Sequence, residues 1–420
     1  MKIFKFGGAS VNSVDRIKSM AEIVELYKND NLVIIVSAMG KTTNALEKVV
    51  ESFYNNKLEE SIGLFNAIKQ QHITTAKYLL VTKLTHCLDQ LNEFFTEVEW
   101  LLHDKPVRQY DYYYDQIVSV GELMSTCIVS HYLNEKKIAN EWLDVRDLLR
   151  TDNNFRDAGV DWKITSEKVL QTVKTNDHQI YITQGFIGST DENESTTLGR
   201  EGSDYTAAIF ANILDAESLT IWKDVEGVMN ADPKTYKEAQ LIAELSFNEV
   251  IEMAYYGAQV IHPKTIKPLQ NKGISLNVKC FLDASLPGTV IKAKAVKDLP
   301  PIIVYKQDQA IIRLFSKDFS FVGEEPMAML YKTLSTLKLK PNLIQTGAIN
   351  VQLCLDDKAD RIEALAFAAN DLFDVSIEKG LTLLTIRHYT KELFNELTKD
   401  KIIVLQQQTE DTIQALYKLV

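Results

Sequence analysis

The chain is poor in the residues that cross-link a protein or bind a metal by local spacing. It has four cysteines in 420 residues, Cys87, Cys127, Cys280 and Cys354. They are widely scattered with no CxxC pair, which excludes a disulfide framework and leaves reduced core thiols as the default. The seven histidines show no HExxH or comparable spacing, so no structural or catalytic zinc site is expected, and His262 before Pro263 reads as locally packed. No apolar run approaches the ~18 residues of a membrane span, and the chain enters a strand at once without a signal-peptide pattern. It therefore reads as cytoplasmic, with no membrane partner. A cationic excess is missing too. The net charge of -11 disfavours nucleic acid as a partner, and any anionic substrate then needs a locally positive pocket. Lys5, Arg200, Lys223 and Lys234 are the candidates to make one.

What is present is a globular composition: 45% hydrophobic residues, enough for the cores of two or three domains. Strand candidates at 2–6, 32–36, 180–184, 218–222 and 275–280 alternate with helical stretches. That order predicts an α/β fold with a mainly parallel sheet sandwiched by helices. Residues 61–102 read as a helical insertion with Leu84, Leu88, Leu91, Phe94 and Phe95 inward. The run Asp111-Tyr112-Tyr113-Tyr114-Asp115 has no basic residues interleaved, so it reads as packing or loop anchoring and not as a base-stacking surface. Residues 32–36 followed by Gly40-Lys41-Thr42 imitate a strand entering a P-loop, but the first glycine of that motif would fall at Ile35, and the phosphate nest cannot form.

Two distant segments carry the chemistry. Lys5-Phe6-Gly7-Gly8-Ala9-Ser10 leaves the first strand with a lysine and two glycines, so backbone amides are free to approach an anion where open α/β sheets place their ligands. Ser13 is placed to cap the next helix, whose Ile17, Met20, Ala21 and Val24 fall on one face. Leu198-Gly199-Arg200-Glu201-Gly202-Ser203-Asp204-Tyr205 delivers a planar guanidinium to a helix start. Ser203 is the expected cap, and Asp204 is placed to orient a lysine ammonium.

With these segments the chain resembles the aspartate kinases of the amino acid kinase superfamily. The likeness continues in the family's order through Val36-Ser37-Ala38-Met39-Gly40-Lys41-Thr42-Thr43-Asn44, Ser119-Val120-Gly121-Glu122-Leu123-Met124-Ser125, Thr183-Gln184-Gly185-Phe186-Ile187-Gly188, Trp222-Lys223-Asp224-Val225-Glu226-Gly227 with Asp232-Pro233, and Tyr256-Gly257-Ala258-Gln259-Val260-Ile261-His262-Pro263. The resemblance implies transfer of the γ-phosphoryl of ATP, accompanied by Mg2+, to the side-chain carboxylate of L-aspartate. Lys5 would stabilise the transferring group and Asp204 would hold Lys5. Arg200 would take the substrate α-carboxylate and Glu122 its ammonium, with Ser37, Thr43, Phe186 and Ser203 completing the pocket. Lys5, Phe6, Gly7, Gly8 and Ala9, with Lys223, Asp224, Met229, Lys234 and Gln259, would contact the nucleotide. No metal ligand is assigned to the protein.

Several positions depart from the common family pattern: Ala9 for Thr, Glu201 for Gly, Gln259 for Lys, Lys223 for Thr and Met229 for an aromatic residue. Two other readings stay open, a sister kinase acting on glutamate or a derivative and a catalytically silent amino-acid sensor.

A composition change near Leu299-Pro300-Pro301 marks a domain joint, giving a kinase domain over 1–298. Beyond it, a strand at 311–315, a helix from Pro326 with Met327, Leu330, Tyr331, Leu334 and Leu337 on one face, strands at 343–345 and 350–355, a helix at 361–372 and a strand at 375–378 give a β-α-β-β-α-β order. This resembles an ACT module over 302–378. A second, truncated or intertwined copy over 379–420 has a strand at 381–388, a short helix and strands at 402–405 and 412–417. It lacks a last helix and strand and must borrow support. A fused homoserine dehydrogenase has no room. The modules are expected to pair two chains into a homodimer. In lysine-sensitive members an Asp binds lysine where Asn342 stands here, and Gly347 and Ala348 replace Ser and Glu, so lysine alone is expected to inhibit poorly.

Overall fold

Short β-branched runs bounded by turns become buried parallel strands, and the amphipathic segments between them become covering helices. The computed structural model describes residues 1–173, 179–258 and 260–419. In chain order it runs β1 (Lys2–Phe6), α1 (Val14–Leu26), β2 (Leu32–Val36), α2 (Thr42–Tyr54), α3 (Leu58–Leu79), α4 (Leu84–His103), α5 (Tyr110–Val118) and α6 (Val120–Glu135). Then come β3 (Glu141–Leu143), α7 (Val145–Leu148), α8 (Trp162–Thr172), β4 (Ile180–Gln184), β5 (Ile187–Ser189), β6 (Ser195–Thr197) and α9 (Gly202–Ile213). Next are β7 (Ser218–Lys223), β8 (Glu244–Ser246), α10 (Phe247–Tyr256), α11 (Pro263–Lys272), β9 (Ser275–Cys280) and β10 (Thr289–Lys292). The last part comprises β11 (Ile302–Ser316), α12 (Glu324–Thr336), β12 (Leu343–Thr346), β13 (Asn350–Asp356), α13 (Ala359–Ala369), β14 (Phe373–Arg387), α14 (Lys391–Thr398), β15 (Lys401–Gln408) and β16 (Thr412–Leu419).

Two compact units form, Met1–Val228 with Leu241–Ile251 and Val260–Val296, and Met229–Gln240 with Glu252–Gln259 and Lys297–Val420. The first is built on an eight-stranded sheet ordered β3-β4-β2-β1-β7-β9-β10-β8. All its pairings are parallel except that of β9 with β10. The central strand β2 is buried along its whole length, as a strand covered on both faces requires. Ser13 caps α1 by accepting from the Arg16 amide, and Ile17, Met20, Ala21 and Val24 are buried. The helical insertion is the pair α3 and α4. Leu91, Phe94 and Phe95 are buried there, whereas Leu84 and Leu88 are only partly so.

The second unit is a six-stranded antiparallel sheet ordered β12-β13-β11-β14-β16-β15. Each of the two long strands serves both halves of this sheet. The β11 segment from Gln309 to Ser316 pairs with the first part of β14, and Ile302 to Lys306 pairs with Leu383 to Arg387. The fourth strand that the C-terminal module lacked is thus the start of β11. The strand β14 runs without interruption through the division drawn at 378/379, with Gly380 at φ +71°. On α12, Leu330 and Leu334 are buried as expected, but Tyr331 is exposed. The helix begins at Glu324 and not at Pro326, and Met327 and Leu337 pack partly buried against the same core as Leu330 and Leu334.

Candidate active site

The carboxyl ends of β1, β2 and β4 and the start of α9 meet around one cavity of about 470 Å³. Its walls include Lys5, Gly8, Ser37, Thr43, Glu122, Phe186, Arg200, Ser203 and Asp204, so nine residues singled out from separate motifs share one site. The loops that deliver them are laced to one another. The Ser37 amide donates to the Phe6 carbonyl at 3.1 Å, Gly40 to Gly8 at 3.0 Å and Gly185 to Val36 at 3.2 Å. A Cβ on Gly8 would stand 2.7 Å from the Ala38 carbonyl oxygen, so only glycine lets these two loops close on the site.

Lys5 Nζ lies 2.7 Å from Asp204 Oδ1, both side chains largely buried. Asp204 sits in the first turn of α9, where the helix end also favours its negative charge. Glu122 comes from the first turn of α6 and is buried. It accepts from the Ala38 amide at 3.3 Å through Oε1, while Oε2 is buried with no hydrogen-bond partner among the described residues. Burial pushes the Glu122 carboxyl up to about 8, against the opposing pull of the Ala38 amide and the Lys5 charge. A buried carboxyl oxygen without a partner costs stability unless a ligand supplies a donor. Phe186 holds its place at φ +73°, with its amide donating to Thr206 Oγ1 at 3.0 Å.

Ser203 does not cap α9. The residue before the helix is Glu201 in the left-handed region at φ +55°, and no side chain caps the end. A left-handed conformation favours glycine, the residue the family pattern has there, and costs about 1–2 kcal/mol otherwise. Glu201 is held by a compensating contact: its Oε2 accepts from the His262 amide at 2.9 Å. His262 in turn caps α11, its Nδ1 accepting from the Lys264 amide at 3.1 Å, which accounts for a histidine at that position without a metal.

The residues expected at the nucleotide are more dispersed. The Phe6 ring is fully buried and stacked on Trp222 with centroids 5.8 Å apart, so only its backbone is available to a ligand. Gly7 precedes the single turn Gly8–Val11, which also holds Ala9. Lys223 ends β7, and its Nζ donates to the Val260 carbonyl at 2.7 Å; Asp224 follows it, exposed. Met229 and Lys234 belong to the second unit, where the Lys234 amide donates to Asp232 Oδ1 at 2.9 Å. Gln259 lies outside the described residues.

The cavity also contains residues that the motifs did not point to. Tyr114, Arg156 and Thr197 line it, and one buried carboxylate sets two of them. Asp115 accepts from the Arg156 amide at 3.0 Å, from the Thr197 amide at 2.8 Å and from Thr197 Oγ1 at 2.7 Å. Burial raises its carboxyl to about 6 in spite of these donors. The Arg156 guanidinium lies 4.4 Å from the Tyr114 ring centroid and 3.0 Å from Asp111 Oδ1. The Asp-Tyr-Tyr-Tyr-Asp run is therefore loop anchoring, as its composition suggested. Its flanking acids were the available signal for an arginine nearby.

A lysine fixed by an acid, an exposed guanidinium fork and a buried carboxyl with an oxygen unpartnered among the described residues suit an amino acid meeting a phosphoryl donor. The comparisons agree. The chain belongs to the amino acid kinase family, whose model matches residues 1–280, and within it to the aspartokinases. The Escherichia coli (strain K12) protein named lysine-sensitive aspartokinase 3 is 30% identical over 395 residues, covering 91% of this chain and 86% of its own length. Aspartokinase 2, chloroplastic, of Arabidopsis thaliana is 32% identical over 368 residues, covering 84% of this chain and 66% of its own. The crystal structure of E. coli aspartokinase III in complex with aspartate and ADP matches with a TM-score of 0.81 at 27% identity, over 99% of this chain and 96% of that one.

Proposed function

We infer that the chain transfers the γ-phosphoryl of ATP to the side-chain carboxylate of L-aspartate, giving 4-phospho-L-aspartate, the entry step to lysine, threonine and methionine. The observation that carries this is the single cavity holding the Lys5–Asp204 pair, Arg200 and the unpartnered oxygen of Glu122. Phosphoryl transfer between two anions needs positioning and fixed positive charge more than covalent help. Lys5 supplies the charge at the transferring group and Asp204 keeps it from drifting. Arg200 offers two parallel donors to the α-carboxylate, and Glu122 accepts the α-ammonium. Ser37, Thr43, Phe186 and Ser203 shape the remaining wall. The amides of Gly7, Gly8 and Ala9, with Lys223 and Asp224, serve the nucleotide.

Mg2+ belongs to this reading as the partner of ATP. Of the three acids lining the cavity, Asp204 is paired with Lys5 and Glu201 with the His262 amide, and Glu122 holds the Ala38 amide through one oxygen and leaves the other for the substrate ammonium. That donor set fits an ion that would be held mainly by the phosphate oxygens of ATP and would supply positive charge there. The reading also includes a homodimer formed through the second unit, supported by the exposed Phe319, Phe321 and Phe367. A cytoplasmic location is supported by four cysteines that are all free. No helix among the described residues is long and apolar enough to cross a membrane.

Coupled ADP release measured with aspartate, glutamate and acetylglutamate tests the reading. Turnover with aspartate at least about tenfold above the other two is expected. Preference for glutamate or its derivative, or no turnover with any of the three in folded protein, would overturn it.

A further inference from the structure

Away from the cavity, α4 and α6 assemble soft ligands that the kinase reaction leaves unused. Cys87 and Gln90 stand about one turn apart on α4, and Cys127 and His131 about one turn apart on α6, so each pair shares a helix face. Both thiols are fully buried, and His131 is partly exposed. The two Sγ atoms are 3.9 Å apart. Gln90 Oε1 lies 3.3 Å from Cys127 Sγ and 3.1 Å from His131 Nε2. One ligand atom from each of Cys87, Cys127 and His131 falls within 4.8 Å of the other two.

We propose that Cys87, Cys127 and His131 form a zinc site, with Gln90 Oε1 at its fourth corner. Tetrahedral zinc with Zn–S bonds near 2.3 Å holds two sulfurs about 3.8 Å apart, which the Cys87–Cys127 separation already matches. Charge also balances. Zn2+ displaces one proton from each thiol to solvent and takes the lone pair of a neutral imidazole, so two thiolates and one dication leave a buried centre with no net charge. Isolated thiolates at the same place would be far more costly. Two thiolates and an imidazole select zinc or another thiophilic ion over the Mg2+ that ATP chemistry uses. The site would clamp the helical insertion to α6, the helix whose first turn carries Glu122. Sequence spacing excluded a zinc site because the donors come in two pairs on two helices, 40 residues apart.

The test uses the full chain, stripped with chelator and titrated with Zn2+ against a chromophoric competitor. One zinc per chain is expected, with a rise in melting temperature on zinc addition. Co2+ in its place is expected to give the intense thiolate charge-transfer and tetrahedral visible bands. Cys87→Ser/Cys127→Ser should lose the stoichiometric zinc and the cobalt bands. His131→Ala, at a partly exposed position that folding tolerates, should weaken zinc at least about tenfold. Wild-type protein that takes up no more zinc than the His131→Ala and double-serine proteins would overturn the proposal. So would an octahedral cobalt spectrum, or thiol counting that shows Cys87 and Cys127 joined as a disulfide in freshly purified protein.

Discussion

Lys5 Nζ and Asp204 Oδ1 stand 2.7 Å apart with side chains 12% and 6% exposed, so the cation at the end of the first strand is anchored by an acid from the start of α9. A charge held in place before substrate arrives is worth most where water is excluded. Lys5→Ala or Asp204→Ala is expected to lower turnover by at least about 100-fold with the fold retained. Near-normal turnover in folded Lys5→Ala protein would remove Lys5 from the chemistry.

Glu122 gives a pH dependence with a definite sign. Its carboxyl is raised to about 8 by burial, so in the free enzyme it is largely protonated at neutral pH, and only the carboxylate pairs with an ammonium. At saturating MgATP, kcat/KM for aspartate should therefore rise with pH up to about 8 and level off above it. Glu122→Gln should be low throughout and lose that limb. A profile flat from pH 6.5 to 9 (roughly the window either side of that value) would show that Glu122 does not meet the ammonium.

Arg200→Lys should raise KM for aspartate far more than KM for ATP, because a point charge cannot replace a planar two-point donor. Steady-state kinetics with each substrate varied in turn decides this. Selective weakening of ATP would reverse the assignment of the two ends of the cavity.

The left-handed Glu201 allows an ordering to be stated. Glu201→Ala keeps the strain and loses the bond to the His262 amide, whereas Glu201→Gly loses the bond and relieves the strain. Denaturant unfolding should place the alanine protein about 1 kcal/mol below the glycine protein. Equal stabilities would mean that the backbone there carries no strain.

In the second unit, the Asn342 side chain is already occupied. Lys306 Nζ donates to its Oδ1 at 2.7 Å, and its Nδ2 donates to Gln309 Oε1 at 2.7 Å and Asp356 Oδ1 at 2.9 Å. Burial lowers the Lys306 pKa, but the chain's own ammonium still fills the place where a free lysine would need an acid. Lysine alone should inhibit poorly at subsaturating aspartate, with threonine and methionine titrated alongside. Strong inhibition by submillimolar lysine would locate an effector pocket elsewhere.

Much of the fold and of the site is legible in the sequence. The strands β1, β2, β4 and β9 begin and end where their apolar runs meet turn residues, and Ser13 caps α1 as its position implied. Lys5, Gly8, Arg200 and Asp204 could be named because glycine turns and charges at strand and helix ends leave a local mark, whereas Ser37, Thr43, Glu122, Phe186 and Ser203 were legible as pocket residues only through the family resemblance. What escaped is tertiary. The strand expected at 311–315 extends back to Ile302 across an irregular register between Lys306 and Ile311, and the division drawn at 378/379 falls inside a second strand that pairs with it. Arg156 lines the cavity with its backbone held by Asp115, a contact with no periodicity to betray it. Ser203 was displaced from the cap by a non-glycine residue accepting a positive φ.

An acyl phosphate reacts with hydroxylamine to give a hydroxamate, so the product can be trapped directly. Wild-type protein incubated with MgATP, L-aspartate and hydroxylamine is expected to yield aspartyl hydroxamate in step with ADP, and Lys5→Ala at least about 100-fold less. ADP release without hydroxamate, or equal hydroxamate from folded Lys5→Ala protein, would contradict a carboxylate kinase built around the Lys5–Asp204 pair.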